Sequence, residues 1–70
     1  MSLYANYDIE KIHIIDGYRQ KLQKWHITYM PHAEKVMCDY KTARGEEPKP
    51  TLRFEKFDDF LVWAIEEVGQ

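Results

Sequence analysis

The chain has 70 residues, a mass of 8.5 kDa, a formal net charge of −2 and a pI near 5.9. That length holds one domain rather than two, and the longest apolar run, the six residues Phe60 to Ile65, falls well short of the roughly 18 that a membrane span needs. Leu, Ile, Val and Phe together exceed the roughly 20 % below which chains tend to stay unfolded, so a single folded domain is expected over residues 1–70.

Residues 1–8 carry neither the basic stretch nor the apolar core of a secretory leader. One cysteine, Cys38, cannot close an internal disulfide, and a free thiol fits a reducing, cytoplasmic setting. The next segment, Ile9 to Ile15, is rich in β-branched residues and runs into Asp16-Gly17. It therefore reads as a strand entering a two-residue hairpin turn. The segment Tyr18 to Lys24 alternates poorly, so a wider loop or one helical turn through Tyr18 and Leu22 competes with the hairpin.

Two clearer alternations follow. Trp25, Ile27 and Tyr29 share one face opposite His26, Thr28 and Met30. Val36, Cys38 and Tyr40 share one face opposite Met37, Asp39 and Lys41. Both predict half-buried strands, with a turn at Pro31-His32 between them. A helix over residues 32–44, stopped by Gly45, competes with the second strand. Residues 43–50 form a loop, because Gly45 permits a positive φ and Pro48 and Pro50 disfavour helix. Residues 51–56 alternate again, with Leu52 and Phe54 inward.

From Phe57 to Val68 the apolar residues Phe57, Phe60, Leu61, Ala64, Ile65 and Val68 fall at helical spacing, which predicts an amphipathic helix with these six on its buried stripe. Asp58 and Asp59 suit its first turn, and Gly69 is placed to follow its last. Val62 and Trp63 lie outside the stripe. The predicted architecture is α+β: a small two-layer domain, a three- to four-stranded antiparallel sheet packed by one C-terminal amphipathic helix.

Reactive constellations are sparse. His13, His26, His32 and Cys38 lack the short paired spacings of a zinc site, so no metal and no cofactor is expected. Cys38 lies on an apolar strand face with no glycine-rich turn beside it, and it reads as a small buried hydrophobe rather than a nucleophile. Asp58-Asp59 and Glu66-Glu67 are sequence neighbours, so on a helix they diverge by about 100° and make no catalytic pair. The expectation is a protein that is not an enzyme and takes no small-molecule substrate.

Two binding functions remain. The leading one is a small accessory protein that binds another protein or itself as a homo-oligomer, with Val62 and Trp63 as contact residues, Tyr4 and Tyr7 as further anchors, and open sheet edges available for pairing. The alternative is a single-stranded nucleic-acid-binding protein. Residues 11–44 hold seven basic against three acidic residues, whereas residues 57–70 hold four acidic and no basic ones. Lys24, Trp25, Tyr40, Lys41 and Arg44 would supply cations and stacking rings on one sheet face. The overall charge of −2 weighs against it.

Overall fold

The structure, a computed structural model, describes residues 9–70. Its elements run α1 (Ile9–Lys21), β1 (Trp25–Met30), β2 (Lys35–Tyr40), β3 (Leu52–Phe54) and α2 (Phe57–Val68). The sheet has the order β1-β2-β3 and is antiparallel throughout. The α+β class and the C-terminal helix on the sheet are as the sequence predicts.

The inward rows follow from the period of two along each strand. Trp25 stands opposite Tyr40, Ile27 opposite Cys38 and Tyr29 opposite Val36. Val36 and Cys38 in turn face Phe54 and Leu52. Those side chains share the face covered by both helices. His26, Thr28, Met37 and Arg53 lie on the other. The β1–β2 connection turns through residues 31–34, where Glu34 takes a left-handed backbone (φ 55°) and its carboxylate meets Lys11 Nζ at 3.0 Å. Residues 32–44 are therefore not a helix: β-branched and aromatic side chains at alternate positions prevail there over the weaker helical period.

The first correction concerns residues 9–21. They form no strand and no Asp16-Gly17 hairpin; they form helix α1. The helical period was present in Lys11, Ile15, Tyr18 and Leu22, of which Ile15 and Leu22 are buried. Glu10 at the start and Arg19 and Lys21 at the end complement the helix dipole, and Asp16 pairs with Arg19 at 2.7 Å across one turn. Helix α1 ends where Trp25 N–H donates to the Leu22 carbonyl at 2.9 Å. The third strand is also shorter than predicted, three residues rather than six, and Gly69 closes α2 with an ordinary right-handed backbone (φ −74°).

The second correction concerns the roll of α2. Phe57, Phe60 and Ala64 are buried as predicted, but Ile65 and Val68 are exposed and Trp63 is half-buried. At 100° per residue, the buried side is rotated by roughly 50° from the centre of the apolar stripe. Indole burial explains the roll, since an aromatic ring removes roughly 150–250 Å² from water. The Trp63 ring meets Trp25 at 5.1 Å, Phe54 at 5.6 Å and Phe60 at 6.1 Å. Ile65 in the same place would bury less.

Candidate functional site

Rolling Trp63 inward leaves an apolar flank of α2 in water. Val62 is 60 % exposed, Ile65 61 % and Val68 42 %, with Leu61 half-buried beside them. Leu61, Ile65 and Val68 stand at i, i+4 and i+7, so they form one ridge about two turns long. Asp58 and Glu66, four residues before and after Val62, border it, and no basic residue stands anywhere in the helix. Phe57 reaches Tyr29 on β1 and lies under Lys11 of α1, whereas Trp63 reaches Phe54 on β3. Leu61, one turn beyond Phe57, is therefore on the α1 side. There Tyr18 of α1 meets the Phe60 ring edge-on at 5.8 Å, and Ile14 is half-buried next to it.

Of the two residues expected to make protein contact, the structure places Val62 on this flank and turns Trp63 toward the core. Trp63 points about 100° away from Val62, toward Trp25 and Phe54. Ile65 and Val68 are the flank residues that sequence reasoning assigned to the core. The signal that locates them is the size of Trp63, which competes with the aliphatic stripe for the sheet. Tyr4 and Tyr7 lie outside the described residues.

The sheet edges are blunt. Arg19 Nε donates to the Ile27 carbonyl at 3.1 Å on the free side of β1, and the Trp25 N–H is taken by Leu22. At the other edge β3 offers only three residues. Short or covered edges resist pairing with further strands.

The residues of the nucleic-acid reading separate into two groups. Trp25 is 7 % exposed and Tyr40 half-buried, both on the helix-covered face, with ring centroids 5.0 Å apart. Trp25 is thus no open platform for a base. Lys24, Lys41 and Arg44 are exposed, and Lys41 N–H donates to the Lys24 carbonyl at 2.7 Å, which places the two lysines together at the end of the ladder. A cleft of about 460 Å³ lies here, lined among others by Lys21, Lys24, Trp25, Tyr40, Lys49 and Glu67. Lys49 Nζ stands 4.5 Å over the Tyr40 ring. The chain supplies its own anion beside it. The Tyr40 hydroxyl and the Ala43 N–H both donate to the Glu46 carboxylate at 2.9 Å. The Ala43 and Tyr40 hydrogen bonds, helped by Lys24 and Lys49, hold the Glu46 carboxyl below its ordinary range. The Glu46 bond in turn pushes the Tyr40 hydroxyl up.

Cys38 is fully buried between Ile27 and Leu52 in the sheet register. Burial, with the Asp39 charge as a smaller cause, pushes its thiol up to about 12. His13, His26 and His32 are exposed on α1, β1 and the turn after β1. Among the described residues, no three His, Cys, Asp or Glu side chains gather as metal ligands would, and no helix is long and apolar enough to cross a membrane. Compared with protein-family models, curated proteins and solved structures, the chain matches none of them.

Proposed function

We propose that this chain is a small non-catalytic binding protein that engages a protein partner through the exposed flank of α2. The observation that carries the reading is the exposure of Val62 and Ile65, at 60 and 61 %, on a helix whose opposite side supplies the fully buried Phe60. Aliphatic side chains set in a row in water cost free energy that a partner surface recovers, at roughly 25 cal/mol per Å² covered. The blunt edges of β1 and β3 leave this flank as the better contact surface.

Comparative capture from a host extract tests it. Wild-type protein, Ile65→Glu and Arg53→Ala, the last on the far sheet face, are immobilised in equal folded amounts. Proteins retained by wild type and by Arg53→Ala but lost with Ile65→Glu support the reading. Identical capture by all three removes it.

A second reading, single-stranded nucleic acid, draws on the exposed Lys24, Lys41 and Arg44 at the end of the sheet. Without an open Trp25 it rests on phosphate contact alone, so it requires a binding constant that falls steeply with salt and a loss on Lys24→Glu. Labelled oligonucleotides that fail to shift at low salt exclude it.

A further inference from the structure

We infer that the occupant of the α2 flank is a cationic amphipathic helix of another protein, and not a second copy of this chain; the inference rests on the protein-binding reading above. The carboxylates of α2 lie at both of its ends, Asp58 and Asp59 in the first turn and Glu66 and Glu67 in the last. A helix of 12 residues is about 18 Å long. Asp58 and Glu66, four residues before and after Val62, share its side of the helix, so two copies meeting flank to flank set these two carboxylates against their counterparts whether they run parallel or antiparallel, whereas Glu67 faces the cleft beside Tyr40 and Lys49. Like charges facing each other across an interface select against that pairing.

The lysines of α1 do not offset this, and Lys56, which shares a groove with Asp58, precedes the helix. Lys11 is committed to Glu34 at 3.0 Å and sits 5.4 Å over the Phe57 ring. Lys21 lies 5.5 Å over the Tyr18 ring. Neither stands on α2. A partner bearing Lys or Arg on either side of an apolar stripe meets both requirements together: its aliphatic side chains cover Leu61, Val62, Ile65 and Val68, and its cations reach the carboxylates at the two ends. The apolar ridge from Leu61 to Val68 spans about 10 Å, which matches two turns of a partner helix with apolar residues at i, i+3 or i+4, and i+7. Tyr18 of α1 reaches the Phe60 ring of α2, so α1 side chains lie close to one side of the ridge.

The test uses the full chain and two labelled synthetic helical peptides with the same leucine stripe, one flanked by lysines and the other by glutamates, read by fluorescence anisotropy. The lysine peptide is expected to bind, at least about tenfold more tightly than the glutamate peptide at low salt, and to weaken as added salt shortens the screening length to about 8 Å or less. Ile65→Glu should abolish that binding while circular dichroism stays unchanged. The double variant Asp58→Lys/Glu66→Lys should shift the preference toward the glutamate peptide. Sedimentation velocity should give a monomer mass.

The contrary results differ in what they remove. A dimer that dissociates on Ile65→Glu overturns the occupant and leaves the flank as a contact surface. Equal binding of both peptides overturns the charge argument alone. Failure of both peptides, with a monomer in solution and a capture pattern indifferent to Ile65→Glu, removes the inference together with the reading on which it rests.

Discussion

The indoles of Trp25 and Trp63 meet edge to face, centroids 5.1 Å apart and planes at 85°. One comes from the first residue of β1 and the other from the middle of α2, so this contact ties the C-terminal helix, which packs over β2 and β3, to the first strand as well. It also decides what α2 shows to water, because holding Trp63 down turns Ile65 out.

Trp63→Ala should accordingly act on stability more than on a surface. Full truncation of a buried aromatic costs about 3–5 kcal/mol; for a half-buried indole that keeps part of its exposure, about 2 kcal/mol is expected. In a chain this short, whose total stability is a few kcal/mol, that moves the urea midpoint far down with the slope unchanged. Ile65→Glu, on the exposed flank, should stay within about 0.5 kcal/mol of wild type. Equal midpoints for the two variants contradict the roll of α2.

Cys38 sets an alkaline limit. In the unfolded chain its thiol ionises near 9.0, and in the fold only at about 12. Above pH 9 the unfolded state has lost a proton that the native state keeps. The contribution of this group is complete below pH 9 and declines by about 1.4 kcal/mol per pH unit up to about pH 12. Cys38→Ala should flatten the alkaline limb of the stability curve by one proton. Thiol reagents should label wild type no faster than it unfolds; rapid labelling of native protein at neutral pH contradicts the burial.

Glu46 sets a contribution of the opposite sense. Its carboxyl is held low by the Ala43 N–H first, then by the Tyr40 hydroxyl. Its stabilisation of the 41–50 loop is present above the ordinary carboxyl value of 4.5 and is lost as pH falls through the lower native value. Tyr40→Phe removes one donor and leaves the other, so the Glu46 titration should move part of the way back up, as followed by carbon-detected NMR of the carboxyl. No movement in that variant contradicts the Tyr40–Glu46 hydrogen bond.

Strands β1 and β2 were legible because their alternation is carried by large β-branched and aromatic residues, and both inward rows stand where the period of two puts them. The span of α2 was legible for the same kind of reason. Its orientation was not, since a helical stripe is read from hydropathy, while the roll is settled by which side chain covers most area on a sheet the stripe cannot see. Helix α1 was hidden twice. Its four isoleucines at 9, 12, 14 and 15 favour a strand locally, and Asp16-Gly17 is a strong turn pair only where the flanking chain is extended. Burial of Ile15 and Leu22 against the sheet overrides both preferences. The contact flank was illegible as a consequence: Ile65 and Val68 read as core for as long as Trp63 read as surface.

Gly17 offers the most direct check on that first helix. It lies inside α1, its left-handed freedom unused, and a Cβ built on it meets nothing within 4 Å. In an exposed helix interior, Gly costs about 0.8–1 kcal/mol relative to Ala, through the backbone entropy of the unfolded chain and the lower helical propensity. Gly17→Ala should therefore stabilise the protein by about 0.5–1 kcal/mol and raise its melting temperature by several degrees. In a two-residue hairpin the same glycine needs a positive φ, and alanine there is strained. The two structures thus demand opposite signs from one substitution, and a lowered urea midpoint for Gly17→Ala returns residues 9–21 to an extended hairpin.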